Sequence, residues 1–239
     1  MMKAQPKTKE ASGARRAIQR DSFFRSLSQN AARDLEEMLV VSEYPEDSMI
    51  FMEKQESRGI FVLLEGQLKI SVSSSDGKTL IMRIAQPGDF LELNTALSNK
   101  PYETTAETLY KCRIGFVRRD DFLRFLALHP EGYAIVAREL SENYHKACEH
   151  LRTVGLASTV SERLARLLLE WSAAAPETTG GTTRVKLSLT HGEIGEFIGT
   201  TRETVSRTFR DLKERQLAIL QGATLMIPNR AALENYAGI

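Results

Sequence analysis

The sequence predicts an α+β protein with three parts in order: an N-terminal jelly-roll (double-stranded β-helix) module, one long amphipathic helix, and a C-terminal winged helix-turn-helix domain. Three observations predict it. Residues 40–118 run as short β-rich stretches separated by turn residues, roughly eight strands in all. From Asp120 to about Val154 the apolar spacing changes to alternating threes and fours. Beyond Thr159, Thr-x-x-Glu capping boxes open short apolar-faced segments one after another.

Composition narrows the function classes. The chain has 239 residues, 42% of them hydrophobic, enough to bury the cores of two modest domains. Its 32 Lys and Arg nearly cancel 31 Asp and Glu, which excludes a polyelectrolyte or a uniformly basic coat, so a nucleic-acid site must be local. The longest apolar run, Ile60 to Leu64, is far below the ~20 residues that a membrane span needs. No apolar stretch follows the basic N-terminus, so the expected location is the cytoplasm. Cys112 and Cys148 lie in strand-like and helix-like segments, without the close Cys/His spacings of a metal or iron–sulfur site. No disulfide framework, metal site or catalytic residue is expected, because neither a Gly-rich phosphate loop nor a nucleophile pattern occurs.

Residues 1–20 carry six cations against one acid and almost no large apolar residue. They read as a solvated tail or as a basic arm lending non-specific DNA affinity. A short helix is predicted over Gln29–Met38. Ile60–Leu64 precedes Glu65-Gly66, then Leu68, Ile70 and Val72 alternate with polar positions up to Ser75-Asp76-Gly77-Lys78, a hairpin signal. Strands over Leu80–Ile84 and Thr108–Val117 flank the turn Gln86-Pro87-Gly88-Asp89-Phe90, which enters a region suited to line a pocket. The predicted boundaries are 1–20 for the tail, 21–128 for the sensor-like β-roll, 129–156 for the long helix and 157–239 for the C-terminal domain.

On that helix Ala137, Leu140, Tyr144, Ala147, Leu151 and Val154 form a narrow a/d seam among Arg138, Glu139, Glu142, Lys146, Glu149 and Arg152. A narrow seam on an otherwise polar helix suits a twin helix, hence a homodimer; packing on the chain's own barrel is the other reading. Gly155–Ser158 reads as a hinge, Ala173–Thr183 as a loop and Arg184–Leu189 as a strand.

The boxes Thr190-His191-Gly192-Glu193 and Thr200-Thr201-Arg202-Glu203 predict two helices meeting at Gly199. Ile194, Phe197 and Ile198 share one inner face and Val205, Phe209 and Leu212 the other, with Gly195 leaving room for close approach. The outer face of the second helix carries Arg202, Glu203, Ser206, Arg207 and Arg210 near its N-terminus, the part that such motifs insert into the major groove. Arg can bond guanine O6 and N7, and Glu can accept from cytosine N4. Two local readings compete: Glu203 fits as the N3 partner of a Thr200 cap, and Arg207 fits an i,i+4 pair with Asp211. Leu217–Leu220, Gln221-Gly222-Ala223 and Thr224–Ile227 read as the wing hairpin.

This order of parts resembles the CRP/FNR family of bacterial transcription regulators across roughly residues 22 to 230. The most specific stretch is Leu189 to Arg207, LTHGEIGEFIGTTRETVSR, which looks like the family's DNA-reading motif. The resemblance implies a homodimer binding a palindromic double-stranded DNA site, with RNA polymerase as a further partner. The candidate DNA contacts are Thr190, Thr201, Arg202, Glu203, Ser206, Arg207 and Arg210; the resemblance implies that Arg202, Glu203 and Arg207 read the palindrome and ties Glu203 and Arg207 to a TGA core. Ser206 resembles the FNR branch and Arg202 the CRP branch.

The sensor half departs from the family. The cyclic-AMP pattern has a Gly-Glu pair and an Arg followed by Ser or Thr, whereas here Glu92 follows Leu91, and Thr104-Thr105 stands where the Arg pair belongs. A phosphate would lack its bidentate partner, so cyclic AMP binding in that mode is not expected, nor is an iron–sulfur cluster. Glu92, Leu93, Thr104 and Thr105 remain the candidate effector pocket, with no cofactor assigned. The four histidines, His191 among them, read as surface or interface residues. The competing reading is a redox or small-ligand sensor whose helix-turn-helix serves protein contacts.

Overall fold

The computed structural model describes residues 26–157, 159–173, 182–187 and 189–239. The tail 1–20 therefore lies outside the described residues. Contacts divide the chain into two compact units, residues up to Val72 with Met82–His145, and Ser73–Ile81 with Lys146–Ile239.

The first unit opens with α1 (Gln29–Met38), with the predicted bounds, capped by the Ser28 hydroxyl accepting from Ala31 N. Eight strands follow: β1 (Val40–Tyr44), β2 (Met49–Phe51), β3 (Gly59–Glu65), β4 (Leu68–Ser73), β5 (Thr79–Ala85), β6 (Phe90–Leu91), β7 (Thr105–Thr108) and β8 (Cys112–Arg118). They form two four-stranded sheets, ordered β1-β8-β3-β6 and β2-β7-β4-β5, the two-sheet roll expected of the alternating pattern. β3 is buried along nearly its whole length, which is why Ile60–Leu64 is a continuous apolar run rather than an alternating one. Between the sheets lie Phe51, Phe61, Leu63, Leu68, Ile70, Leu91, Tyr102 and Ile114, with Phe51 stacked on Phe61 at 5.1 Å.

Two single elements of the sequence reading are each two in the structure. The strand expected over Thr108–Val117 is β7 and β8, separated at Leu109–Lys111, where Leu109 N bonds back to Gln67 O instead of continuing a ladder. The helix expected from Asp120 is α3 (Arg119–Leu128) and α4 (Glu131–Leu156), broken where His129 precedes Pro130 and leaves the helical region at φ −125°, ψ 77°. α2 (Leu93–Ser98) was not foreseen.

α3 and the start of α4 close the other face of the roll. Phe122, Phe125, Leu126, Ile135 and Val136 join Ile60, Val62 and Leu93 in one core, with Leu140 packed against it. Farther along, the seam lies open: Tyr144 is 74% and Leu151 58% exposed, and Ala137 is exposed as well. α4 runs through Gly155 to Leu156, so these two residues of the expected hinge Gly155–Ser158 are helical, and Ser158 lies outside the described residues. No helix among the described residues is long and apolar enough to cross a membrane.

The second unit contains α5 (Val160–Trp171), capped by Thr159, whose hydroxyl accepts from Glu162 N. Then come β9 (Thr183–Lys186), α6 (His191–Ile198), α7 (Arg202–Glu214), β10 (Ile219–Gln221), β11 (Thr224–Ile227) and α8 (Arg230–Ala237). The loop expected from Ala173 falls largely outside the described residues, and β9 ends three residues before the expected Leu189. The small sheet runs β10-β11-β9 and is the wing. α8, unforeseen, docks on α5, where the Arg166 guanidinium donates to Ala237 O at 3.0 Å.

Candidate nucleic-acid interface

α6 starts where Thr190 satisfies orphan amides. Its hydroxyl accepts from Glu193 N, and the Glu193 carboxylate accepts from Thr190 N at 2.8 Å, a complete capping box. α6 stops at Gly199, which takes the left-handed φ of 67° that closes the helix. The turn is tight because Gly195 has no side chain: a Cβ there would stand 2.8 Å from Thr200 O. Thr200 N bonds Gly195 O at 2.8 Å across the same point. Gly195→Ala therefore must push the two helices apart, at a cost of about 1–3 kcal/mol typical of overpacking. A thermal melt of this variant should show that loss, while the roll, which it does not touch, keeps its own stability.

The second cap corrects the sequence reading. The N-cap of α7 is Thr201, whose hydroxyl accepts from Thr204 N at 3.3 Å, rather than Thr200. Glu203 is thus not an N3 capping partner. Its carboxyl, fully exposed, is held below its usual range by its own backbone N–H and by the Thr201 hydroxyl. Asp211 is also differently engaged: it takes two bonds from Arg215, at 3.0 and 3.1 Å, and one from the Tyr236 hydroxyl, so the pairing with Arg207 is not formed. Arg215 additionally lies over the Tyr236 ring at 5.5 Å.

One face of α7 is buried, through Val205, Thr208, Phe209 and Leu212, against the core that holds Leu164, Leu168, Ile194 and Ile198. Thr201, Arg202, Glu203, Ser206 and Arg207 are exposed over the N-cap and first two turns, Arg210 is exposed about a turn farther on, and Thr190 is exposed at the head of α6. The structure therefore brings all seven sequence-predicted DNA contacts to one region of the helix pair. Two of them already have work: Thr190 and Thr201 are caps. Sequence reasoning missed the role of His191, whose Nδ1 lies 2.8 Å from Ser206 Oγ and whose ring stacks on Phe209 at 5.1 Å and 15°. Burial, and then the Arg202 charge, hold its pKa below the ordinary imidazole value.

Behind α6, Phe197 meets Trp171 edge-on at 5.6 Å and His150 of α4 edge-on at 4.9 Å. His150 is buried, and its Nε2 has no hydrogen-bond partner among the described residues. Burial depresses its pKa, so its share of stability is present above the ordinary imidazole range and is lost as pH falls through the lowered value. Melting from about pH 7.5 to 5.5 should destabilise the wild type more than His150→Phe, which cannot take up the proton.

In the roll, Glu92 adopts a left-handed backbone at φ 66°, where the family pattern would have just passed a glycine. Its carboxylate accepts from Thr95 Oγ1 at 2.8 Å and Thr104 Oγ1 at 3.0 Å. Desolvation, the largest influence, raises its pKa against those two bonds. Glu92 and Thr104 meet, but Leu93 is in the core, and Thr105 Oγ1 is occupied by Glu53 N at 3.1 Å. The nearby Arg83 forms an ion pair with Asp89.

A capped helix pair with one charged outer face, flanked by a three-stranded wing, is a winged helix-turn-helix. The same chain also carries a two-sheet β-roll. Residues 162–236 match the Crp-like helix-turn-helix domain family and residues 41–129 the cyclic nucleotide-binding domain family. The chain is 28% identical to the nitrogen fixation regulation protein FixK of Bradyrhizobium diazoefficiens, over 90% of either chain. It is 24% identical to the CRP-like cAMP-activated global transcriptional regulator of Mycobacterium tuberculosis (strain ATCC 25618 / H37Rv), over 92% of this chain and 98% of that protein. The structure of FixK2 from Bradyrhizobium japonicum superposes with a TM-score of 0.71 at 23% identity, covering 82% of this chain and 96% of that one, a likeness of fold. The chain belongs to the CRP/FNR family and is a transcription regulator of that type.

Proposed function

We propose that the protein works in the cytoplasm as a homodimer that reads a palindromic DNA site, without cyclic AMP bound in the family's usual mode. The observation that carries this reading is the outer face of α7, where Arg202, Glu203, Ser206, Arg207 and Arg210 are exposed side by side above a fully packed inner face. Two such helices, paired through the open α4 seam, enter successive major grooves about 34 Å apart. Arg207 bonds a guanine and Glu203 accepts from a cytosine amine, with Arg210 on phosphate. The seam supports the pairing, because Tyr144 and Leu151 are too exposed to serve a monomer's core.

The effector reading rests on Glu92 and Thr104. The carboxylate that would hold a ribose is bonded by two threonines of its own chain, and Thr104-Thr105 offers a phosphate no guanidinium. The DNA-reading conformation is therefore held without a cyclic nucleotide, and the activity is regulation rather than catalysis. Footprinting on a bound duplex, with and without cyclic AMP, tests both statements. Protection of two successive major grooves, unchanged by the nucleotide, is expected; protection only in its presence would contradict the effector reading.

A further inference from the structure

Ser206 stands among the exposed residues of α7, yet its hydroxyl is already constrained on two sides. Its Oγ lies 3.0 Å from Arg202 O, one turn back on the same helix, and 2.8 Å from His191 Nδ1 on the neighbouring helix. A hydroxyl has one proton and two lone pairs, and a carbonyl can only accept. Both contacts are hydrogen bonds only if Ser206 donates to Arg202 O while His191 carries its proton on Nδ1 and donates to Ser206. The stack of the imidazole on the buried Phe209, at 5.1 Å and 15°, fixes the ring plane that aims Nδ1 there. One lone pair of Ser206 then remains for anything outside the protein.

Resting on the reading that α7 enters the major groove, we infer that His191 is a positioning residue that makes Ser206 an acceptor only, so that the base facing Ser206 must present an exocyclic amine. Adenine N6 and cytosine N4 are the two such amines in that groove, whereas guanine O6 and N7 and thymine O4 are acceptors that a donor-less Ser206 cannot bond. At this one base pair the protein thus accepts A or C on the facing strand and disfavours G or T. A free serine hydroxyl has no such bias, because it rotates to donate or to accept.

Two measurements test this on the full-length protein. The first is selection from random duplexes at one salt concentration with the wild type, Ser206→Ala and His191→Phe, the last of which keeps a ring on Phe209 but removes the N–H. The base pair whose preference Ser206→Ala alters should, in the wild type, favour A or C on one strand over G or T by about tenfold. His191→Phe should level that pair and leave the rest of the site intact. The inference is overturned if Ser206→Ala changes no base pair, if His191→Phe keeps the preference, or if the wild type groups A with G or T there. A wild type that enriches no site would instead remove the reading on which the inference rests. The second measurement needs no DNA: the ¹⁵N shifts of the His191 ring in the free protein should place the proton on Nδ1. A neutral ring protonated only on Nε2 would overturn the inference.

Discussion

Leu151→Glu yields a monomer, and its affinity for a duplex carrying both half-sites falls by roughly 10²–10⁴-fold, the advantage that linking two binding modules confers. Leu151 is 58% exposed and is not among the buried side chains of the described residues, so in the monomer the new carboxylate meets water. In the dimer the seam brings it opposite its own copy, two like charges with their hydration removed. Sedimentation should report the change in mass while the melting temperature hardly moves. A variant that stays dimeric, or binds the two-half-site duplex as the wild type does, would show that α4 is not the dimer contact.

Arg207→Ala is expected to lower affinity for the selected site by about 1–3 kcal/mol, roughly 5- to 150-fold, and to relax selectivity at one guanine. The side chain is exposed, and Asp211, the acid four residues on, is bonded to Arg215 and Tyr236. Removal should therefore cost the fold little. Arg210→Ala gives the contrast: loss of a phosphate contact weakens binding to all sequences alike and reduces the salt slope by about one. Competition binding with single-base variants separates the two patterns, and a uniform loss for Arg207→Ala would contradict base reading.

Much of this was legible because local chemistry and tertiary packing agree. The Thr159 cap, the Asp76-Gly77 turn, the Thr190 box and Gly199 each act within a few residues, and each appears in the structure where its spacing places it. The readings that needed correction are those in which neighbours compete. Thr200 and Thr201 are equally good caps by type; in the structure Thr201 takes the position, and Thr200 O lies against Gly195 in the turn. Apolar spacing runs through His129-Pro130 without interruption, so periodicity alone joined two helices that proline chemistry divides. α2 is six residues long and starts from a left-handed Glu92, with neither a side-chain cap nor a period to announce it. The His191–Ser206 contact joins residues fifteen apart, and its geometry exists only once the turn has brought the helices together. Arg207 and Arg215 sit four residues to either side of Asp211, so spacing alone allows either pair, and in the structure Asp211 accepts from Arg215 and from Tyr236 on α8.

The central claim is that the exposed face of α7 reads a two-fold-symmetric DNA sequence without a nucleotide effector. Selection from a random duplex library with purified, ligand-free protein at one fixed salt concentration, followed by sequencing of the retained strands, tests it most directly. The account predicts enrichment of a palindrome whose half-sites contain a TGA-like core. Retention without any enriched sequence, or enrichment that appears only when cyclic AMP is added, would contradict it.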